Sequence, residues 1–368
     1  MKIVAKFAVG ALLALTLDVF VAAQTPNITN GQRREISAGA GLKTTIDDLI
    51  QGHEAPLWIG YRIATAAKER SMCCYETSGA WGAWDKGQCS GGCRVESSHG
   101  VSMSDSRSAC SAPEPPRYAF LFLRTGEKDD KQIRKVRVYS ADCRLDFGGL
   151  PVFWINDVKP EQSVEVLTGL ATRTEPEEKN DLAHSAVMAI ALHDSPSADA
   201  ALEKLIQPGQ PERLRENVAF WLGVERGKRG LELLHKYVKR DSDARFREKG
   251  TFALSQSKEP EALTDLIDMA RHDPSSRVRG QAIFWLAQIG GRKEAEQITA
   301  AIEDDPETEV KKKAVFALSQ MHDGQGVPLL IQLARTNRNP AVRKQAIFWL
   351  GQSQDPRALD FLEEILTK

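Results

Sequence analysis

Phenylalanine recurs with a 32-residue period through the second half of the chain. A period between about 20 and 50 residues is typical of stacked supersecondary units, each of which buries its apolar face only against its neighbours. The spacing therefore excludes a single globular core for this half of the chain and predicts a repeat array. The column consists of Phe220, Phe252, Phe284, Phe316 and Phe348, each followed two residues later by leucine.

Other residue types keep the same 32-residue period. One column is aliphatic, a second is basic and a third is glutamine, so several kinds of position recur in common register. Such columns predict six repeats over residues 180–368. Their members are Leu202, Leu234, Leu266, Ile298, Leu330 and Leu362; Arg215, Arg247, Arg279, Lys311 and Arg343; and Gln256, Gln288, Gln320 and Gln352.

Each repeat has the pattern of two helices. In the last repeat, Val342, Ala346 and Leu350 follow the spacing of an apolar helix stripe, and Asn339-Pro340 provides a helix start. A second apolar stripe follows Pro356 after a short connection, which requires the two helices to be antiparallel. The pattern predicts a mainly α chain, with about six 32-residue helical hairpins stacked into an α-solenoid.

The first helices of the array resemble HEAT repeats. The resemblance rests on Val-Arg, then alanine, then leucine, as in Val278, Arg279, Ala282 and Leu286. The short repeat resembles the subtype named after phycobilin lyases, and the likeness covers roughly the C-terminal half of the chain. It implies a right-handed solenoid. It also implies that activities known in the superfamily, iron-dependent lysine hydroxylation and bilin chromophore handling, are alternatives to a binding role.

A longer, 64-residue period lies within the array, because residues 279–286 (RGQAIFWL) and 343–350 (RKQAIFWL) nearly coincide. Tryptophan and alanine therefore alternate from one hairpin to the next. We favour large-against-small packing between successive hairpins as the reason. The other interpretation is a row of exposed tryptophans along a groove. The alternating residues are Trp221, Ala253, Trp285, Ala317 and Trp349.

The N-terminus has the pattern of an export signal. Lys2 and Lys6 precede an apolar stretch over residues 7–17, and Val21-Ala22-Ala23 offers a small-residue cleavage site. We predict a signal peptide over residues 1–23, a flexible lead-in over 24–40, and a periplasmic or secreted protein. The apolar stretch is too short to span a bilayer, so no stable membrane anchor is expected.

The overall charge is balanced. Lysine and arginine total 49 and aspartate and glutamate total 50, which gives a net charge of −1. A chain of this balance has no basic excess for binding nucleic acid through bulk charge.

All six cysteines lie in the region 41–155, for which we predict a small α+β domain. An even count in an exported chain favours disulfides. Zinc is one alternative, because Cys89-x3-Cys93 has tolerable ligand spacing and His99 is near, and a reactive redox pair of cysteines is another. The disulfide candidates are Cys73, Cys74, Cys89, Cys93, Cys110 and Cys143.

The pattern of this α+β domain predicts four strands. The residues between the second and third form a hairpin turn, and a helix within 156–179 is expected to connect the domain to the first hairpin and cap the solenoid. The predicted strands are Trp58–Ala64, Tyr118–Leu123, Ile133–Tyr139 and Leu150–Ile155.

Residues for catalysis are not apparent. A single His-Glu pair, His53-Glu54, lies outside the array, and the histidines within the array share no column. No GxSxG, P-loop, GxGxxG or HExxH motif occurs. We therefore assign no catalytic residue, metal ligand or cofactor. The alternative, a metal- or chromophore-handling oxidoreductase or lyase, rests on the family resemblance alone.

A binding surface does have candidate residues. On a helical wheel, Phe348 points away from the Val342/Ala346/Leu350 stripe and shares a face with Lys344 and Gln352. The phenylalanines are either buried between hairpins, which we favour, or in contact with a partner, and for the glutamines both interpretations stay open. Arg215, Arg279 and Arg343 are expected to pair with aspartates in neighbouring turns, such as Asp273 or Asp305, instead of contacting a ligand. The candidate binding residues are Gln256, Gln288, Gln320, Gln352, Phe284, Phe348, Trp285 and Trp349.

The sequence therefore predicts an exported, monomeric scaffold. Its solenoid is expected to bind an unidentified protein or peptide, and a disulfide-stapled domain is expected to cover its N-terminal end.

Overall fold

The computed structural model describes residues 25–66, 93–96, 118–128, 130–141, 143–173 and 181–367. A sheet region comes first and a helical array second. The N-terminal elements are β1 (Asn27–Ser37), α1 (Leu42–Gly52), β2 (Trp58–Ala64), β3 (Cys93–Arg94), β4 (Tyr118–Thr125), β5 (Ile133–Ser140), β6 (Arg144–Asn156) and α2 (Pro160–Ala171).

The strands form one sheet in the order β1-β6-β2-β4-β5, with β3 also paired to β6. β1, β6 and β2 run parallel, whereas β4 is antiparallel to both β2 and β5. The strands predicted at Trp58, Tyr118, Ile133 and Leu150 are all present, although β6 begins earlier than expected. The sequence pattern did not predict β1 and β3.

The flexible lead-in predicted for residues 24–40 is wrong, because β1 occupies residues 27–37 and pairs with β6. β1 is an edge strand, so its stability comes from backbone hydrogen bonds along one side. Its side chains are mostly exposed, and the sequence NITNGQRREIS shows little of the apolar alternation that reveals a half-buried strand.

Both faces of the sheet are covered by apolar side chains. On one face Ile59, Tyr61 and Leu121 join the core formed with α1, α2 and the array. On the other face a separate aromatic cluster contains the fully buried Phe120 and Phe122. The prediction of disulfides remains open in this region, because Cys73, Cys74, Cys89 and Cys110 lie outside the described residues and only Cys93 and the buried Cys143 lie within them.

Twelve helices in residues 181–367 form six consecutive pairs, as the 32-residue period predicts. We call the first member of each pair a first helix and the other a second helix. The first helices are α3 (Asp181–Leu192), α5 (Glu212–Glu225), α7 (Ala244–Gln256), α9 (Ser276–Ile289), α11 (Thr308–Ser319) and α13 (Pro340–Gln352). The second helices are α4 (Pro196–Leu205), α6 (Gly227–Tyr237), α8 (Pro260–His272), α10 (Arg292–Asp304), α12 (Val327–Thr336) and α14 (Pro356–Leu366).

The two layers of the array pack differently. Successive first helices contact one another extensively, whereas successive second helices touch only slightly. In a curved array the more closely spaced layer lies on the inside of the curve. We therefore call the layer of first helices the inner layer and the layer of second helices the outer layer. No helix in the described ranges is both long and apolar enough to cross a membrane.

The close approach of first helices depends on small side chains. A Cβ built at Gly223 of α5 would lie 2.1 Å from the backbone oxygen of Ala253 on α7. Gly351 occupies the same column on α13, and nothing lies within 4 Å of its Cβ position.

We expect Gly223→Ala to lower the free energy of unfolding by about 1–3 kcal/mol, because α5 and α7 must separate to accept the methyl group. Gly351→Ala is the matched control and should be neutral or stabilising by up to about 1 kcal/mol, since alanine favours a helix over glycine. Urea denaturation of both variants would measure this difference. Equal effects would show that helix propensity, not close approach, sets the requirement for glycine.

Buried ion pairs hold each hairpin to the next. Arg247 donates to Asp273 at 2.8 Å and Arg279 to Asp305 at 2.7 Å, and Arg215 binds Asp241 in the same way. Each arginine also donates to the connection preceding its helix, as Arg279 Nη1 does to the carbonyl of Asp273 at 2.9 Å. The expected arginine–aspartate pairing is confirmed for Arg215 and Arg279, and Arg247 makes an equivalent pair that was not predicted.

The ion-pair pattern changes in the last two hairpins. Lys311 replaces arginine in the column and donates to the carbonyl of Glu303. Arg343 retains its bonds to the preceding connection, at 2.8 Å to the Asn337 carbonyl, but makes no ion pair with any carboxylate among the described residues. Its expected pairing with an aspartate is therefore not observed there.

The sheet region contacts the first hairpin through α2 and the end of β2. Backbone bonds join Ala66 N to Leu192 O and Asp194 N to Ala64 O, both at 2.9 Å. α2 packs against α3 and α4, and α3 packs against β5. The helix predicted to connect the sheet region to the array therefore covers the exposed end of the first hairpin, which would otherwise present unpaired apolar surface.

A buried polar chain lies at this contact. His193 Nδ1 is 2.6 Å from the carbonyl oxygen of Ala189, so we assign the imidazole hydrogen to that nitrogen. His193 Nε2 then accepts from Ser163 Oγ at 2.8 Å, and the hydroxyls of Ser163 and Tyr61 are hydrogen-bonded at 3.0 Å. Burial raises the pKa of Tyr61 and lowers the pKa of His193 to about 4. Although a serine–histidine pair is a familiar catalytic unit, both side chains are fully buried and serve here to join two regions.

Candidate functional site

The phenylalanines of the first helices form part of a continuous aromatic row, which we call the aromatic ladder. Consecutive ring centroids along it are between 4.7 and 6.3 Å apart. The rings follow in the order Trp221, Phe220, Phe252, Trp285, Phe284, Phe316, Trp349 and Phe348.

Stacked phenylalanine pairs and bridging tryptophans alternate along the ladder, with the 64-residue period of the sequence. Phe220 stacks on Phe252 with ring planes 13° apart, and Phe284 stacks on Phe316 with planes 10° apart. Between these pairs, Trp285 bridges Phe252 to Phe284. Where alanine replaces tryptophan in a hairpin, the phenylalanines meet directly, so the tryptophan of the next hairpin has room to enter. This arrangement supports large-against-small packing between hairpins.

The phenylalanine rings are partly buried by this packing, and Phe348 at the end of the ladder is 53 % exposed. On its helix the predicted stripe of Val342, Ala346 and Leu350 is fully buried. The rings therefore pack between neighbouring hairpins, as favoured from the sequence, and remain partly exposed; contact with a partner stays a prediction. The indole nitrogens of Trp285 and Trp349 are buried and have no hydrogen-bond partner among the described residues.

The glutamine column runs beside the ladder, one helical turn further along each first helix. Gln256, Gln320 and Gln352 are exposed and Gln288 is half-buried. Two of them contact a neighbouring serine through the amide nitrogen, Gln256 to Ser255 at 3.2 Å and Gln320 to Ser319 at 3.1 Å. An amide both donates and accepts, as a peptide group does. The column therefore offers a row of exposed groups that match a polypeptide backbone.

On the other side of the ladder is a column that sequence reasoning missed. Lys249 precedes Phe252 by three residues and Lys313 precedes Phe316 by the same number, so lysine and phenylalanine share one helix face. Both lysines are exposed. The signal that would have found them is the 64-residue period, since Lys249 and Lys313 are that far apart, as are Gln281 and Gln345.

Chemistry of other kinds finds less support in the described residues. His53 contacts the carbonyl of Leu49 and the ring of Phe153, and no group of three or more His, Cys, Asp or Glu side chains in the described ranges is placed to hold a metal ion. Two array histidines pair with carboxylates instead, His235 with Asp265 and His272 with Asp268.

A surface cleft of about 750 Å³ opens on the outer layer, between α10 and α12. Its walls combine small side chains, such as Ala295 and Thr299, with the carboxylates Glu296 and Glu303. The cleft is lined by carboxylates whereas lysines lie beside the ladder, so the two surfaces differ in the ligands they favour.

Comparison with known proteins addresses the array. A model of HEAT repeats matches residues 200–287 and 295–368, which are the helices carrying the ladder. These two parts of the chain belong to the HEAT-repeat family. No curated protein matches it in sequence.

Several solved structures are similar to this chain. Human deoxyhypusine hydroxylase is 17% identical, with 56% of this chain and 90% of that one covered and a TM-score of 0.27. YibA of Escherichia coli is 24% identical, with 53% of this chain and 70% of that one covered and a TM-score of 0.34. A chain in the CpcE–CpcF complex of phycocyanin lyase from Nostoc sp. PCC7120 is 20% identical, with 46% of this chain and 98% of that one covered and a TM-score of 0.28. Likenesses at this level carry no argument about activity.

Proposed function

We propose that this HEAT-repeat protein is a scaffold that binds an extended polypeptide along the inner surface of its array. The observation that carries the proposal is the aromatic ladder beside a column of exposed glutamines. HEAT repeats commonly present an extended surface to a protein partner, and the ladder gives that surface a continuous apolar floor. The glutamine amides match the alternating donors and acceptors of a polypeptide backbone.

The spacing of the hairpins is compatible with binding an extended polypeptide. Neighbouring helices pack about 8–10 Å apart, and an extended chain advances about 3.3 Å per residue. Each hairpin therefore spans about three residues of a bound chain, so successive glutamines recur at every third residue of the partner. At that rise, the five hairpins of the ladder would contact about 15 residues of the partner.

The pair Gln288→Ala and Gln352→Ala tests the proposal. A photoreactive phenylalanine analogue replaces the exposed Phe348 in the full chain, and extract of the host organism supplies the partner. We expect cross-linked polypeptide from this position, reduced at least about fivefold by the glutamine pair because each amide loses hydrogen bonds of about 1 kcal/mol. The measurement is the yield of the cross-linked species by quantitative mass spectrometry.

The matched control is Gln325→Ala with Gln332→Ala, two exposed glutamines on the outer side. This pair should leave the yield unchanged. A second control places the analogue at Leu359 of α14, which is 59 % exposed. Equal yields from Phe348 and Leu359, or no loss with Gln288→Ala and Gln352→Ala, would contradict the proposal.

We also propose that the protein is exported and that its cysteines form disulfides, both on the sequence pattern. Export predicts a mature chain starting at Gln24. Disulfides predict that no cysteine is alkylated without prior reduction. The enzyme alternative is addressed by metal analysis of the purified protein, in which stoichiometric iron or zinc would contradict a role as scaffold alone.

A further inference from the structure

The last four first helices carry a positive charge that the whole chain does not. α7, α9, α11 and α13 contain only two carboxylates, Glu248 and Glu309, and each is paired with a basic side chain. Glu248 accepts from Arg277 and Glu309 from Lys312, both at 2.9 Å. Arg247 and Arg279 pair with aspartates of the connections, and the other basic side chains on these four helices find no further carboxylate on the same four helices.

Four basic side chains outside the arginine column make no ion pair among the described residues, and all four are exposed. They recur along α7, α11 and α13, so the surface beside this part of the ladder is positive although the chain as a whole has a net charge of −1. The helix that begins the ladder, α5, differs, because it contains three carboxylates, Glu212, Glu216 and Glu225. Carboxylates are concentrated instead on the second helices α8, α10 and α14. The four side chains are Arg245, Lys249, Lys313 and Lys344.

The geometry places Lys313 beside the ladder. A Cβ at Gly280 on α9 would lie 2.6 Å from the Cδ and 3.3 Å from the Nζ of Lys313. The lysine stem therefore lies across α9, one helical turn before Phe284, with the ammonium close to the inner surface. At the equivalent place two hairpins earlier, Lys249 lies near the Glu216 carboxyl and lowers its pKa, although burial of Glu216 outweighs this and raises the pKa overall.

We propose that the polypeptide bound on the ladder is acidic, with carboxylates that meet Lys249 and Lys313. This inference rests on the proposed function and specifies its partner. The two lysines are two hairpins apart, which is about 16–20 Å. An extended chain crosses that distance in about five or six residues, so acidic residues are expected at that spacing, with apolar residues between them over the rings.

A single-stranded nucleic acid is also an anion, but the ladder is poorly arranged for it. Bases bind by stacking on exposed ring faces. Here the faces of Phe220 and Phe252, and of Phe284 and Phe316, stack on each other. The partly exposed phenylalanine rings suit aliphatic side chains, and the glutamine amides suit a peptide backbone.

Selection from a displayed library of random 12-residue peptides on the full-length protein tests the inference. We expect the enriched peptides to be acidic, with carboxylates five or six residues apart. The best of them should bind about tenfold more weakly to the double variant Lys249→Gln/Lys313→Gln, because two ion pairs are lost, and more weakly in high salt. The control Lys228→Gln/Lys293→Gln changes two exposed lysines on α6 and α10 and should bind as the wild type does.

Each of the other outcomes contradicts either the inference of an acidic partner or the proposed function. Enrichment without an acidic bias would overturn the inference and leave the proposed scaffold intact. Basic peptides would overturn it and point to the acidic cleft between α10 and α12. Tighter binding of a dT12 oligonucleotide than of the best peptide would replace the polypeptide with a nucleic acid. No enrichment over an albumin-coated surface would contradict the proposed function itself.

Discussion

Replacing Arg279 by alanine should lower the free energy of unfolding by about 3–5 kcal/mol. The guanidinium bonds both oxygens of the buried Asp305, at 2.7 and 3.1 Å, and also reaches the carbonyl of Asp273. Removing one member of a buried pair leaves the other charge desolvated and unpaired, which is the largest part of the loss. The direction of the pKa shift agrees, because the hydrogen bond to Asp305 raises the pKa of Arg279. Urea denaturation followed by circular dichroism would measure the change.

Arg343→Ala is the matched control, since Arg343 occupies the same column. It bonds the carbonyl of Asn337 but makes no ion pair with a carboxylate in the described part of the chain. We expect a loss of about 1 kcal/mol for those hydrogen bonds. A second change, Arg279→Ala with Asp305→Asn, should recover part of the loss by removing the unpaired charge. If Arg279→Ala and Arg343→Ala were equally destabilising, the carboxylate would not be the source of the effect.

Lowering the pH from 7 to 4 should remove about 3 kcal/mol of stability through His193 alone. Burial, with a smaller contribution from the Arg226 guanidinium, lowers the pKa of His193 to about 4, against about 6.5 in an unfolded chain. Between these values the unfolded chain binds a proton that the folded chain does not. Stability therefore rises with pH through this window and is lost as the pH falls.

The variant His193→Gln separates this contribution from those of other groups. Its side chain still reaches Ser163 but does not titrate, so its stability should depend less on pH between 6.5 and 4. The difference between wild type and variant, measured by urea denaturation at pH 7.0, 5.5 and 4.0, isolates the imidazole. Parallel pH profiles for the two proteins would contradict the assignment.

The array was predictable because its information is local and repeated. Phe284 and Leu286 recur in register with their equivalents, and a helical wheel separates Phe348 from the buried Val342 and Leu350 without further knowledge. Pairing between Arg279 and Asp305 follows from the same register, since the distance along the chain repeats.

The parts that sequence reasoning missed depend on contacts between distant segments. β1 has a polar sequence because its place in the sheet comes from backbone pairing with β6, which leaves little mark on side chains. The contribution of Lys313 depends on Gly280 of the preceding first helix, whose missing side chain lets the lysine lie across the backbone. Neither relation is visible from one segment alone.

The alternation of tryptophan and alanine hairpins along the aromatic ladder limits how many hairpins the array can gain or lose while its rings still pack. Loss of a single hairpin would bring two tryptophan hairpins or two alanine hairpins together, and the rings would then collide or leave a gap. Gain or loss of two consecutive hairpins restores each tryptophan to the phenylalanine it bridges. The module that recombination or design can exchange in this protein is therefore a pair of hairpins, although the single hairpin is its unit of secondary structure.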